Sequence, residues 1–434
     1  MFSLGLVRLR KSVYHKKKRE RVFSMIQVDI SNVWGELSLS DLLGTEQEVF
    51  LAHNSFDEAY GSGDENPQNS AVSLDDWIEF GQILAAAERI RVESDALIVL
   101  GTDSICAFSQ AVMELLQGPN RNLSQNRSLR VFFAGNSFST RAWNELMGLA
   151  EGKDLSVCIL SDARIAPETA LAFRSLKWML ERKYGTDEAR QRIYAVTGEK
   201  DDTLRQMALE EGWQLFTVPE YPDGPFQPLS PEALLPLSAA GIDIRAMLRG
   251  FSLAREELEP RSFENPAWLY AAARSALYRK GRHMELLSTS EPGFSAMGRW
   301  WQQLFGESAD SAGCGAFPVC VAYAPDLRFL GRMIQSPDSA LFETMLRFEP
   351  PEQKITIGSD LKDLGGLNCL AGKNLDQLYE TTFRDILEAH TDSGVPIITI
   401  DCGPLNEHTL GQLFRFFQLS CGISARMTQT QQRS

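Results

Sequence analysis

The sequence Ala96-Leu-Ile-Val-Leu-Gly-Thr-Asp-Ser104 joins five apolar residues to a short polar turn, and a helical pattern follows over residues 104–116. An apolar run of this length is the size of a buried strand. A strand that passes through a glycine-containing turn directly into a helix is the repeating unit of α/β folds. The stretch therefore predicts a strand, a turn and a helix in that order.

The same alternation continues on both sides of this unit. We predict further strands at residues 129–134, 155–160, 192–197 and 214–218, with helices at 75–92, 139–151, 168–182 and 202–211. Strands and helices that alternate at this spacing form a mainly parallel sheet with helices on both faces. The predicted fold class is therefore α/β.

A second α/β block is predicted beyond a break in this pattern. Residues 219–231 contain five prolines, and the charged segment 255–266 is a candidate inter-domain connection. Beyond it we predict strands at 284–287, 317–323, 355–357 and 395–400, with helices at 266–278, 296–305, 375–389 and 407–420. The expected organisation is a basic extension over residues 1–24, an N-terminal domain over 25–260 and a C-terminal domain over 261–434.

The charge of the chain is divided unevenly. Residues 1–24 contain eight Lys or Arg against Glu20 alone, so this segment carries +7 and leaves −21 for the rest of a chain whose net charge is −14. A body this acidic argues against nucleic acid as a partner. The basic segment is interpreted as an unstructured tail or an artefact preceding a true start at Met25. A binding arm and a transit peptide are the alternatives.

The seven cysteines are scattered, without a C-x-x-C pair or a nearby histidine cluster. Several lie in apolar runs, as buried free thiols of a reducing compartment do. We therefore expect a cytoplasmic location and neither a metal site nor a disulfide framework. The apolar runs are strand-sized, far below the roughly 20 residues of a membrane span, so no membrane association is expected.

Two polar loops occupy the position at which α/β sheets bind ligands, the carboxyl ends of strands. The first is Gly101-Thr-Asp-Ser104, and the second covers residues 161–169. Ser161 and Arg164 of the second loop suit an anion. However, Asp162 would repel a bound phosphate by about 4 kcal/mol at 4 Å and an effective dielectric near 20, and Pro167 removes a backbone donor. An ordinary connector is therefore the alternative for this loop.

A candidate proton-transfer residue lies in Phe305-Gly-Glu-Ser308, directly after a helical pattern that carries Trp300 and Trp301. We predict that Glu307 lies on a loop beside this aromatic helix end, where a carboxylate suits a general base. A solvated loop acid is the alternative. His390, in Ala389-His-Thr-Asp-Ser-Gly394, is interpreted as a hydrogen-bonded structural histidine rather than a catalyst.

Long runs of sequence carry a family resemblance: Leu180-Glu-Arg-Lys-Tyr-Gly-Thr-Asp-Glu-Ala-Arg190, Leu234-Leu-Pro-Leu-Ser-Ala-Ala-Gly-Ile-Asp243, Leu269-Tyr-Ala-Ala-Ala-Arg274, Tyr278-Arg-Lys-Gly281, Trp300-Trp-Gln-Gln-Leu-Phe-Gly-Glu-Ser308, Gly366-Leu-Asn-Cys-Leu-Ala-Gly372 and Ala389-His-Thr-Asp-Ser-Gly-Val-Pro396. In these runs and their order, the chain from about Met25 to Ser424 resembles the glucose-6-phosphate isomerase family, specifically its short bacterial type. The resemblance implies two sugar-isomerase (SIS) domains, each a mainly parallel sheet flanked by helices.

The resemblance also implies a chemistry. Members interconvert glucose 6-phosphate and fructose 6-phosphate, a phosphosugar reaction of glycolysis and gluconeogenesis, without metal or organic cofactor. A glutamate moves the proton between C1 and C2 through an enediol. A histidine and a lysine assist ring opening, an arginine steadies the enediolate, and a Ser/Thr-rich loop holds the phosphate. The implied assembly is a homodimer whose active site draws on both subunits.

Carried over position by position, the family glutamate falls on Glu307 and is present. The histidine is expected 21 residues later, where Arg328 stands, and the arginine is expected where Pro225 stands. The phosphate loop keeps Ser161 and Glu168. The glycine-rich first turn keeps Gly101 and Ser104, which with Ser161 and Arg328 are the predicted substrate-binding residues, and Glu307 is the predicted catalytic one. The helix that carries the family lysine is not found before Ser434, so we expect a truncated site.

Two hypotheses follow for the function. The first is an isomerase of this family whose degraded site makes its activity weak or redirects it to another sugar. The second is a non-catalytic pseudo-isomerase that senses a phosphosugar or serves as an interaction scaffold. Each general acid or base typically contributes 10²- to 10⁴-fold to a rate. The second hypothesis is therefore favoured for the mechanism.

Overall fold

Two five-stranded sheets form the framework of the protein. The computed structural model describes residues 26–60, 78–124, 129–161, 164–200, 203–218, 229–291, 293–312, 315–336, 340–363 and 365–432. Within them the strands, in chain order, are β1 Gln27–Asn32, β2 Ala96–Leu100, β3 Arg130–Ala134, β4 Leu155–Ser161, β5 Ile193–Gly198, β6 Gln214–Val218, β7 Met284–Thr289, β8 Phe317–Ala322, β9 Leu341–Glu349 and β10 Ile397–Pro404.

The α-helices of the described residues alternate with these strands. They are α1 Leu39–Leu43, α2 Glu46–Tyr60, α3 Ile78–Glu93, α4 Asp103–Gln117, α5 Thr140–Ala150, α6 Pro167–Tyr184, α7 Thr186–Gln191, α8 Thr203–Glu211, α9 Pro231–Ala239, α10 Ile244–Glu257, α11 Pro266–Arg279, α12 Phe294–Ala312, α13 Tyr323–Ile334, α14 Leu375–Asp392 and α15 Glu407–Gln432. Short 3₁₀ turns lie at Arg121–Leu123 and Leu367–Leu370. The predicted α/β class is confirmed.

The first sheet has the strand order β3-β2-β4-β5-β6, and all its pairs are parallel. Every residue of β2 and of β4 is buried. This agrees with their near-continuous apolar sequences, because a central parallel strand is covered by helices on both faces. The chain starts the sheet at β2, adds β3 on one side and β4 on the other, and so reverses direction at β2.

The second sheet repeats this plan with the order β8-β7-β9-β10-β1. Strands β7 to β10 are parallel, and β1 pairs with β10 in the antiparallel sense. The N-terminal strand thus completes the sheet of the C-terminal half. The domain boundary near residue 260 stays a prediction.

Three details of the second block differ from the prediction. The strand predicted at 355–357 is wrong, because Thr356 makes only an isolated bridge to Asn374. The strands β1 and β9 were not predicted. Strand β9 contains Glu343, Thr344 and Arg347, which interrupt the apolar pattern, and β1 is only half-buried along an edge.

The two halves share one hydrophobic core, in which α15 is the central element. One cluster contains Leu97 and Val99 of the first sheet together with Leu287 and Ile398 of the second. Helices α10 and α15 cross with their backbones in contact, and a glycine on each helix, Gly250 and Gly411, makes this approach possible. A Cβ atom at Gly411 would lie 2.0 Å from the carbonyl oxygen of Met247, and one at Gly250 would lie 1.9 Å from that of His408.

Some predictions fall on residues that the structure does not describe. These include the basic extension 1–24, the start at Met25 and most of the proline-rich segment, with Pro225. In the described ranges, no helix combines the length and the apolar character that crossing a membrane requires.

Candidate functional site

The two predicted ligand loops come together at the carboxyl edge of the first sheet. They follow the adjacent strands β2 and β4, where the strand order reverses, and this is the crevice in which open α/β sheets bind ligands. Close packing leaves little room for a side chain at Gly101. A Cβ atom at this position would lie 3.1 Å from Sγ of Cys106 and 3.4 Å from Cβ of Leu160.

The first loop presents exposed polar groups at the start of α4. Ser104 is exposed, and its hydroxyl lies 2.8 Å from that of Thr102. Asp103, the first residue of α4, accepts a hydrogen bond of 2.5 Å from Nδ2 of Asn136, which follows β3. A carboxylate thus already occupies the positive end of this helix, which weakens the loop as an anion site.

The second loop places a buried hydroxyl at the base of the same crevice. Ser161 is only 1% exposed, and its Oγ has no hydrogen-bond partner among the described residues. Thr169, on the first turn of α6, donates a 2.6 Å hydrogen bond to the carbonyl of Gly135 and so ties this loop to β3. Arg164 is exposed, whereas Asp162 and Ala163 lie outside the described residues.

The predicted loop position of Glu307 is wrong, because α12 continues through it to Ala312. The helix continues past Gly306, and side-chain hydrogen bonds span this turn. The hydroxyl of Ser308 donates to the carbonyl of Leu304 at 2.9 Å, and Nε2 of Gln303 donates to Oε1 of Glu307 at 3.0 Å. These groups are four residues apart, as neighbours on one helix face are. The carboxylate of Glu307 is exposed to solvent.

Helix packing brings Glu307 towards the crevice of the first sheet. A Cβ atom at Gly293 would lie 2.4 Å from the carbonyl oxygen of Glu114, and the rings of Trp300 and Phe108 are 5.7 Å apart. From the first contact to the second, the residue number rises on α12 and falls on α4, so the two helices run antiparallel. The last turns of α12, with Glu307, therefore lie at the end of α4 that begins at Asp103.

Arg328 lies on α13, and its side chain is outside the described part of the structure. The helix begins at Tyr323, directly after β8, and Asp326 accepts a 2.9 Å hydrogen bond from the backbone N–H of Ala322. The structure thus places position 328 in the second turn of a helix at the carboxyl edge of the second sheet.

His390 belongs to a buried polar network rather than to the crevice. Its Nδ1 lies 2.8 Å from Oε2 of Glu343, and the hydroxyl of Ser288 donates to the other carboxylate oxygen at 2.8 Å. Tyr323 also donates to Glu343. Burial, and then the charge of Glu343, raises the pKa of Tyr323 well above its usual value. This network attaches the start of α13 to β9 and to α14.

A second buried carboxylate, Glu285, lies on β7. It accepts hydrogen bonds from Tyr270 at 2.6 Å, from Nε of Arg274 at 2.5 Å and from Thr344 at 2.7 Å. Sequence reasoning missed both networks. A signal was available, because Glu285 and Glu343 each lie among apolar residues of a strand, where a buried acid requires partners. Arg274 also borders a cavity of about 40 Å³ behind α12, a size suited to water.

Within the described residues, His, Cys, Asp and Glu side chains form no group of three or more that could hold a metal ion.

Comparison with known proteins identifies the scaffold that carries this crevice. The glucose-6-phosphate isomerase of Clostridioides difficile (strain 630) is 41% identical over 350 residues, which cover 80% of this chain and 78% of that protein. The chain belongs to the glucose-6-phosphate isomerase family. The enzymes of the same name from Staphylococcus saprophyticus and Bacillus cytotoxicus are 36% and 37% identical, each covering 92% of this chain and 90% of the relative. The family resemblance in the sequence is thereby confirmed.

Solved structures with lower sequence identity share the fold. A hypothetical protein from Thermus thermophilus has a TM-score of 0.79 at 18% identity and covers 93% of this chain and 95% of its own. A glucose-6-phosphate isomerase from Chlamydia trachomatis has a TM-score of 0.74 at 11% identity, covering 93% and 84%. No protein-family model matches the chain.

Proposed function

We propose that the protein retains the phosphosugar crevice of its family and Glu307 as its proton-transfer base. On this proposal it interconverts glucose 6-phosphate and fructose 6-phosphate only weakly or not at all. The observation that carries the proposal is Arg328, which stands where the family resemblance implies a histidine. Arginine stays protonated near neutral pH, so it cannot take up and release a proton during ring opening.

Glu307 supports the part of the chemistry that remains. In an enediol reaction its carboxylate would remove the proton from one of the two carbons, C1 or C2, and return it to the other. The carboxylate is exposed, and Gln303 orients it through one hydrogen bond. A single missing acid–base group costs about 10²- to 10⁴-fold in rate. Pro225 in place of the implied arginine removes a further stabilising charge, so we expect strongly impaired turnover.

Phosphosugar sensing without turnover is the second candidate function. It is favoured by Ser161, whose buried hydroxyl has no partner among the described residues at the base of the crevice. A ligand oxygen could satisfy it, because a buried hydroxyl left unpaired costs free energy. Asp103 and Glu168, in the first turns of α4 and α6, oppose a phosphate dianion and would make such binding weak.

Thermal denaturation with each hexose phosphate separates these functions. Saturable stabilisation of the full chain would support sensing, if the same concentration of inorganic phosphate does not stabilise it and no sugar is converted.

The substitution Arg328→His tests the impaired-enzyme proposal, because it restores a titratable group at the position where the family resemblance implies a histidine. We expect it to raise turnover about tenfold or more. Arg332→His, on the same helix and exposed, is the matched control and should leave turnover unchanged. Equal turnover in both variants would contradict the assigned role of position 328.

A homodimer in the cytoplasm completes the proposal. The family resemblance supports the homodimer, since members are usually homodimers whose site draws on two subunits, and the buried free thiols support the cytoplasm. Light scattering at micromolar concentration should give about twice the monomer mass of 48.5 kDa. A monomer at every concentration tested would contradict the assembly.

A further inference from the structure

The turn of α12 that carries Glu307 has a void on its inner side. Ser308 and Ala309, the two residues after Glu307, border a cavity of about 40 Å³ that residues of α11 and α15 also line. Side chains that face a void lose the packing contacts that would otherwise hold them in one position. The orientation of this turn, and of the Glu307 carboxylate on it, therefore depends on a few specific contacts.

Arg274, on α11, lines the same cavity and contacts three elements around it. Its guanidinium lies over the ring of Phe305, with the central carbon 4.2 Å from the ring centroid. Phe305 precedes Glu307 by two residues on α12. The Nε of Arg274 donates to Oε2 of Glu285 on β7 at 2.5 Å, and its Nη1 donates to Oγ of Ser424 on α15 at 3.0 Å. One side chain thus joins α12 to the second sheet and to α15.

The planar shape of the guanidinium makes these contacts possible together. Its face stacks on an aromatic ring while its edge donates hydrogen bonds in fixed directions, which an ammonium group cannot do. The side chain of Arg274 is only 8% exposed, and its charge is matched by the buried carboxylate of Glu285. Arg274 is therefore too deep to contact a substrate at the exposed Glu307 carboxylate, and its contacts suit it to hold α12 in place.

We propose that Arg274 is a positioning residue for Glu307. Its stack on Phe305 fixes the last turns of α12 and, with them, the direction of the Glu307 carboxylate. The inference rests on the proton-transfer role proposed for Glu307. A reacting group that is displaced by about 1 Å can lose about 10²-fold in rate, so the position of this carboxylate matters for any turnover that remains.

Carbon-13 NMR of the full chain, labelled at the carboxyl carbon of glutamate, tests this role without any need for turnover. The signal that disappears in Glu307→Gln identifies the Glu307 carboxylate. We expect Arg274→Lys to shift this signal and to speed amide hydrogen exchange over residues 305–309 about tenfold. Lysine keeps a charge beside Glu285 but loses the stack on the ring and the second hydrogen bond.

Arg279→Lys is the matched control. Arg279 lies on the same helix and pairs with Glu48 on α2, not with α12, so its substitution should change neither the signal nor the exchange. Ser424→Ala keeps the test available if Arg274→Lys does not fold. It removes only the partner of Nη1, and we expect it to speed exchange over residues 305–309 about threefold.

Two results would overturn the inference. The first is an unmoved Glu307 signal in an Arg274→Lys protein whose melting temperature has fallen, because that would show a purely structural role. The second is exchange that accelerates equally in all parts of the chain. A shifted signal in a chain without any Glu307-dependent turnover would support the positioning role and would contradict only the function proposed for Glu307.

Discussion

At the scale of single residues, His53 links stability to pH. It is 2% exposed, and its Nδ1 accepts a 2.6 Å hydrogen bond from the indole N–H of Trp268. Burial first, and then the neighbouring Arg261, lowers its pKa from 6.5 to about 4, although Asp57 acts in the opposite direction. An indole donor and a guanidinium both favour the neutral ring, which agrees with this shift.

A pH-dependent loss of stability follows from His53. Between pH 6.5 and 4 the unfolded chain binds a proton at this histidine that the folded chain excludes, so the stability falls as the pH falls. The contribution is about 3 kcal/mol over that window. His53→Gln should flatten the slope in urea titrations at several pH values, whereas the exposed control His283→Gln should keep it. Equal slopes in the His53 variant and the control would contradict the role of His53.

Single residues of the candidate site were partly predictable from sequence. Gly101, Ser104 and Ser161 follow apolar strands, and the parallel arrangement of those strands brings them to one edge. That Glu285 and Glu343 require buried partners could be inferred from their largely apolar strands, but the identity of those partners could not, because other elements supply them. Ser288, Tyr323 and His390 surround Glu343 only once the second sheet and its helices are packed.

At the scale of elements, the crossing of α10 and α15 depends on glycine. Gly411→Ala would place a methyl group 2.0 Å from the carbonyl oxygen of Met247, which is backbone and cannot rotate away. We expect a loss of about 3 kcal/mol of unfolding free energy. The control is Gly148→Ala, at an exposed glycine of α5 with no neighbouring atom within 4 Å of the new methyl group. It should stabilise by about 0.5–1 kcal/mol. Chemical denaturation measures both, and similar values for both would contradict the packing.

Elements with clear periodicity were predicted well, and those set by tertiary contacts were not. Strand β6 was predicted at 214–218 and lies at Gln214–Val218. The end of α12 was missed, because Gly306 and the polar residues after it are typical of a loop. Contacts decide otherwise, since the thiol of Cys421 packs 3.1 Å from Oγ of Ser308 and covers that turn. The difference matters for the site, because the structure places Glu307 on a helix and not on a loop.

At the scale of the whole molecule, the shared core predicts cooperative unfolding. One hydrophobic cluster contains residues of both sheets and of α15, and β1 from the N-terminal end completes the second sheet. Calorimetry of the full chain should therefore give one transition, and residues 261–434 alone should stay unfolded by circular dichroism. Two separate transitions, or a folded fragment, would show that the halves are independent.

We propose that this sugar-isomerase scaffold has lost most of its catalytic power while keeping Glu307. The most direct test is the steady-state rate of fructose 6-phosphate formation from glucose 6-phosphate by the purified full chain and by Glu307→Gln. We predict a rate for the unaltered chain within about tenfold of the variant, since one remaining base contributes little without its partners. A rate that exceeds the variant by about 10⁴-fold would contradict the account and identify a fully working isomerase.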